Sequence, residues 1–187
     1  MRNHLLSQHF LKSPRLALVL IGHSNIKKRD IVLEIGAGSG VITSALSKRC
    51  AEVIALEPDS ATAAKLRKNL ADRNLQNVTI LETTFEDFDL NSLPKEYKVF
   101  SNPPFSHSSL IVHKLIESSN PPQSFYFIFQ KQFALKLIPT DRHYTSQLGQ
   151  ELQKSYDVKI KYPLKSTDFT PPPAVPTVLL EAKRRQS

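Results

Sequence analysis

Asn102-Pro103-Pro104-Phe105 follows the apolar stretch 97–100 and precedes a helix-like run that starts near Ser106. The asparagine brings a planar donor and acceptor, the prolines stiffen the backbone, and the phenylalanine adds a flat apolar surface. A strand that ends in such a turn suits the holding of a flat, polar ligand. The same Pro-Pro pair would also end a strand with no ligand at all.

A second constellation lies upstream, Glu34-Ile35-Gly36-Ala37-Gly38-Ser39-Gly40. Missing Cβ atoms let the backbone approach a ligand and present its N–H groups where a helix begins. A tight turn of purely structural purpose would use the same glycines. The dinucleotide fingerprint G-x-G-x-x-G wants glycine or alanine at position 41, where this chain has Val41. The G-x-G-x-G spacing instead resembles the first motif of S-adenosylmethionine-dependent methyltransferases, which implies a loop wrapped around the methionine and ribose of that cofactor. Glu57 closes the next strand about twenty residues on, where a carboxylate can accept both ribose hydroxyls of a nucleoside. Pro58 beside it offers an apolar plate for an adenine ring, although Glu57 taken alone is equally an exposed loop charge.

With a methyl donor implied, the Asn102 turn acquires a chemistry. Adenine's amino nitrogen is a poor nucleophile because its lone pair is delocalised into the ring. The Asn102 side-chain carbonyl and the Pro103 backbone carbonyl can accept its two hydrogens, favouring a pyramidal nitrogen, while Phe105 stacks on the base. Such catalysis works by positioning and electrostatics. The positively charged leaving group needs no metal, and the product cation loses its proton readily.

These residues need elements to hold them. Ser13-Pro14 supplies a cap and a first-turn proline for a helix reaching about residue 23, behind an N-terminal arm of residues 1–12. Residues 30–35, 52–56, 78–81, 98–101 and 124–129 read as buried strands. Helical spacing occupies 41–48, 61–73 (with Asp59 as its cap), 108–117 and 132–137. That alternation predicts a doubly wound, mostly parallel sheet with ligands at the carboxyl ends of the strands. The proline-rich segment 169–176 is too short for a crossover helix, so strands at 156–162 and 178–182 are expected to pair antiparallel.

Bulk properties bound the partners. The chain has 187 residues, 40% of them hydrophobic and 22% charged, which suits one globular domain and leaves little room for a second. No apolar run approaches membrane-spanning length; the longest, 16–21, is bounded by Arg15 and His23. The N-terminus lacks a secretory h-region, so a cytoplasmic location is expected. Cys50 is the only cysteine, excluding an internal disulfide and any cysteine-based metal cluster. The six histidines form no evident metal set, and no metal is expected. A net charge of +8 favours polyanionic partners. The basic residues are dispersed, at Lys12/Arg15, Lys27-Lys28-Arg29, Lys131/Lys136, Lys159/Lys161/Lys165 and Lys183-Arg184-Arg185.

Taken together, Gln8-His9-Phe10-Leu11, Glu34 to Gly40, Glu57, the Asn102 turn, Gln132-Phe133-Ala134, and 169–175 before the last strand resemble the ribosomal RNA adenine N6-methyltransferase family. That family includes the erythromycin-resistance methyltransferases and the small-subunit rRNA adenine dimethyltransferases. The resemblance implies an α/β, Rossmann-like methyltransferase fold: a mostly parallel seven-stranded sheet, its last strand antiparallel, with helices on both faces. It implies S-adenosylmethionine as cofactor, bound by Gln8, His9, Leu11, Gly36, Gly38, Glu57, Pro58, Thr84 and Asn102. Catalysis would fall to Asn102, Pro103, Phe105 and Phe133, the last closing the other side of a base flipped out of its RNA helix.

The expected reaction is N6-methylation of an adenine in ribosomal RNA, with 23S rRNA and macrolide resistance as the first reading. The expected protein is a monomer that meets RNA through its basic surface. A methyltransferase of a phospholipid amine or a protein, and a non-catalytic RNA-binding relative, are the alternatives. Three departures from the family stand out. His9 replaces its usual asparagine, and Thr84 falls where it carries the aspartate that takes the cofactor's adenine amino group, which predicts weaker cofactor binding. Its small helical C-terminal RNA-binding domain is expected to be absent, leaving 1–187 as a single catalytic domain.

Overall fold

The computed structural model describes residues 8–139 and 145–185. Strand β1 (Phe10–Leu11) leads into helix α1 (Pro14–Gly22), and β2 (Ile31–Ile35) into α2 (Val41–Ser47). The chain continues through β3 (Glu52–Leu56), α3 (Ser60–Ala71), β4 (Val78–Leu81), β5 (Lys98–Ser101), α4 (Ser108–Glu117), β6 (Ser124–Gln130) and α5 (Lys131–Leu137). It ends with α6 (Gln147–Ser155), β7 (Tyr156–Leu164), β8 (Phe169–Thr170) and β9 (Thr177–Arg184).

Seven strands form one sheet in the order β4-β3-β2-β5-β6-β9-β7. Pairs among β4, β3, β2, β5 and β6 are parallel; β9 runs antiparallel to both β6 and β7. The last strand is therefore the one reversed strand of this sheet, as the spacing and the resemblance predicted. The proline-rich segment lets the chain turn back from β7 without a crossover helix and slot β9 beside β6.

Alternation on the strands makes a core on each face. Val32, Tyr126 and Ile128 pack with Ala17, Leu20, Leu46 and Leu66 on one side. Leu33, Phe125, Phe127 and Phe129 pack with Ile111, Leu115 and Leu152 on the other. Each buried Leu or Phe side chain contributes about 1.5–3 kcal/mol by leaving water. Caps begin the helices where the sequence signalled: Ser13 Oγ accepts from Leu16 N at 3.1 Å and Asp59 Oδ1 from Thr62 N at 2.7 Å. At the amino ends of the strands Lys98 Nζ meets Asp30 Oδ2 at 2.6 Å, with the lysine side chain 4% exposed.

Two features were not expected. Helix α6 follows a serine cap, with Ser146 Oγ accepting from Gly149 N at 3.1 Å, and buries Leu148 and Leu152. The end of the arm is not free: Phe10 and Leu11 pair antiparallel with Thr170 and Phe169. Residues 1–7 of that arm lie outside the described residues. Among the described residues no helix is long and apolar enough to cross a membrane.

Candidate functional site: a cavity over the glycine loop

Because β4, β3, β2 and β5 run parallel and adjacent, the loops after them meet at one edge of the sheet. They line a cavity of about 720 Å³, together with Gln8, His9, Phe10 and Leu11 of the arm. That size suits a nucleoside-bearing small molecule.

The glycine loop bends under β3. Gly36 N and Ala37 N both donate to Leu56 O, at 2.9 and 3.1 Å. Gly36, Gly38 and Gly40 have φ of +72, +53 and +81°, conformations that disfavour side chains. At Gly38 space is short as well: a Cβ there would stand 3.0 Å from Phe10 Cε1. The arm is thus laid directly on the loop.

Glu57, 8% exposed, is held by two backbone donors. Gly38 N donates to its Oε2 at 2.9 Å and Asp59 N to its Oε1 at 3.1 Å. Each oxygen can accept a further hydrogen bond, so the carboxylate, which lines the cavity, can meet a pair of ribose hydroxyls. Pro58 lies in the same wall.

Glu34 had no assigned role in the sequence. It is 2% exposed, lines the cavity, and its Oε2 has no partner among the described residues. Burial raises its pKa from 4.5 to about 8; Thr43 beside it opposes the shift and the charge of Glu57 adds to it. The signal for it was an acidic residue near the end of an otherwise apolar buried strand.

After β5, Ser101 Oγ accepts from Ile35 N and ties that strand end to β2. Asn102 follows, lining the cavity. Its Nδ2 donates to His9 O at 2.6 Å, while its Oδ1 is buried and has no partner among the described residues. Pro103 is buried and Phe105 half-buried, both outside the cavity lining. The Phe105 ring stands against that of His9, with centroids 5.2 Å apart. Phe133 sits edge-on to Phe129 at 5.0 Å, half-buried at the start of α5.

Thr84 lines the cavity but is already engaged: its hydroxyl donates to Asp87 Oδ2 at 2.7 Å and accepts from Asp87 N at 3.1 Å. The loop carrying it is held from α4, since Lys114 Nζ donates to the carbonyls of Phe85, Glu86 and Phe88 at 2.6, 2.7 and 2.8 Å. Of the wall residues, Phe85 and His107 were not anticipated. They carry no motif, and only the folding of arm, loop and turn onto one edge brings them together.

A seven-stranded sheet with one reversed strand, and a nucleoside-sized cavity over a glycine loop at its switch point, define a Rossmann-like methyltransferase. Residues 2–187 match the family described as Ribosomal RNA adenine dimethylase, and the chain belongs to that family. It is similar to the dimethyladenosine transferase of Kluyveromyces lactis, 35% identical over 91% of this chain and 53% of that protein. The ribosomal RNA small subunit methyltransferase A of Thermotoga neapolitana is 32% identical over 99% of this chain and 69% of its own. The crystal structure of the 23S rRNA methyltransferase ErmE superposes with a TM-score of 0.83 at 22% identity, over 95% of this chain and 70% of that one. The chain spans about half the length of the yeast relatives it matches.

S-Adenosylmethionine is the cofactor of this family, and the residues present fit it. Glu57 offers two carboxylate oxygens to hydroxyls, and Glu34 presents a buried carboxyl whose Oε2 has no partner among the described residues and can bond a polar group of the cofactor.

Proposed function

We propose that this chain transfers methyl groups to the amino nitrogen of adenine in ribosomal RNA, producing dimethyladenosine in the small-subunit RNA. The observation that carries the reading is the carboxamide of Asn102. Its Nδ2 is pinned by His9 O, and its Oδ1 is left buried at the cavity edge with no partner among the described residues. A buried acceptor without a donor is unfavourable by about 1–3 kcal/mol. An amino group of an incoming base removes that penalty.

When bound, the cofactor supplies a methyl group on positively charged sulfur. The protein's part is to hold and orient. Asn102 Oδ1 and the Pro103 carbonyl accept the two amino hydrogens of adenine and draw its lone pair out of conjugation. Phe105 stacks on the base and Phe133 approaches it from α5. Gly38, Glu57 and Glu34 hold the donor, while Gln8, His9 and Leu11 keep water away.

Relatives above 30% identity are named for dimethyladenosine or small-subunit methylation, and these support the small subunit over 23S rRNA and macrolide resistance. The likeness to a 23S enzyme is one of fold. Exposed Lys12, Lys131 and Lys165 supply contacts to RNA phosphates. We assign the chain as one catalytic domain acting as a cytoplasmic monomer.

The test is to incubate the protein with labelled S-adenosylmethionine and, separately, protein-free small-subunit rRNA, protein-free 23S rRNA and phospholipid vesicles. Label on dimethyladenosine of the small-subunit RNA is expected. Asn102→Ala should lower transfer by about 10²–10³-fold, the loss seen when one oriented polar group is removed from a transition state, and spare cofactor binding. Label on lipid, or none on RNA despite cofactor binding, refutes the reading.

A further inference from the structure

His9 joins three parts of the site. Its main-chain carbonyl accepts from Asn102 Nδ2 at 2.6 Å. Its imidazole Nδ1–H donates to Pro171 O at 2.8 Å, which fixes the hydrogen on that nitrogen because a carbonyl can only accept. Its ring lies against Phe105, with centroids 5.2 Å apart and planes at 33°. The neighbouring residues reinforce this path, since Lys12 N donates to Asp168 O at 2.9 Å beside the short pairing of Phe10–Leu11 with Phe169–Thr170.

A carboxamide has two orientations of nearly equal shape, related by a half-turn that exchanges oxygen and nitrogen. Only one lets Asn102 donate to His9 O; the other sets two carbonyl oxygens against each other. The orientation that satisfies His9 leaves Asn102 Oδ1 free and buried. The main-chain position of His9 in turn depends on its side chain, anchored to Pro171 on one side and Phe105 on the other.

We propose that His9 is a positioning residue: docking of the arm on the 168–171 segment sets both the carboxamide of Asn102 and the tilt of Phe105, assembling the base-binding turn. This rests on the methyl-transfer reading above, so its test includes a measurement that needs no transfer. Protein labelled with 15N-asparagine reports the Asn102 carboxamide directly, its signal identified by loss in Asn102→Ser. In cofactor-free protein the two Nδ2 protons are expected to be widely split and slow to exchange. His9→Ala should narrow the splitting and speed exchange roughly tenfold, as local opening becomes easier.

His9→Phe, which keeps a ring against Phe105 but cannot bond Pro171, should fall between the two and serves if His9→Ala fails to fold. In turnover, His9→Ala should lower kcat about 10- to 100-fold, a loss that saturating RNA and cofactor do not restore. An unchanged carboxamide spectrum in both variants overturns the proposal. So does an unchanged kcat with a raised KM for cofactor, which would make His9 only a wall of the cavity. If wild-type protein methylates no RNA, the functional reading fails while the carboxamide spectrum still decides the role of His9.

Discussion

Glu34→Gln should raise the stability of the cofactor-free protein at alkaline pH while weakening cofactor binding. Glu34 is 2% exposed, and its pKa stands at about 8 against an ordinary 4.5. At about 1.4 kcal/mol per pH unit, ionising it inside the fold is unfavourable by ~5 kcal/mol. Below pH 4.5 the carboxyl is protonated in both folded and unfolded chains, and the penalty vanishes. Between 4.5 and 8 the unfolded chain releases the proton and the folded one keeps it, so stability falls as pH rises. Above 8 both are ionised and the full penalty applies.

Glutamine keeps the shape and removes the charge. A domain of this size gains about 2–4 °C of Tm per kcal/mol, so even half of the penalty predicts a Tm at least ~5 °C higher for the variant at pH 9. Thermal melts of both cofactor-free proteins at pH 5, 7 and 9, at one ionic strength, give as their difference the contribution of the Glu34 charge, its coupling to Glu57 included. The difference should be close to zero at pH 5 and grow toward pH 9. A constant offset, or a less stable variant at pH 9, would refute the burial argument.

Other perturbations reach separate parts of the molecule. Gly38→Ala forces a side chain into φ +53° and against Phe10 Cε1 at 3.0 Å, which is unfavourable by about 1–2 kcal/mol for the backbone alone. The arm should lift, and calorimetric titration should show cofactor affinity reduced about tenfold; unchanged affinity would mean that Phe10 does not cover the loop. Lys98→Met leaves Asp30 without its ammonium at the far end of the sheet, a loss of about 3 kcal/mol. Urea unfolding should show a lower midpoint with cofactor affinity retained in the folded protein, and a midpoint equal to wild type would remove the pair from the list of stabilising contacts.

Local chemistry made much of the fold legible before any coordinates. Residues 52–56, 78–81, 98–101 and 108–117 adopt the elements their hydrophobic spacing predicts, and Ser13 and Asp59 cap the helices they precede. Helix α6 escaped because only Leu148 and Leu152 mark its buried face and the rest is polar. The pairing of β1 with β8 escaped for a different reason: two-residue strands have no period to detect, and their register depends on contacts across more than 150 residues.

The sequence by itself determined which residues can do chemistry, because residue type and near-neighbour spacing are local properties. The glycine loop, Glu57 after the second buried strand and the Asn102 turn were all visible as strand ends, and parallel pairing was bound to gather them at one edge. Only the tertiary structure decided how the groups are committed. It spends the hydroxyl of Thr84 on Asp87 and leaves Asn102 Oδ1 without a partner among the described residues. It also buries Glu34 beside Glu57 and lays His9 between Asn102, Phe105 and Pro171. These outcomes depend on desolvation and on hydrogen bonds between segments distant in the chain, and neither quantity exists until the segments meet.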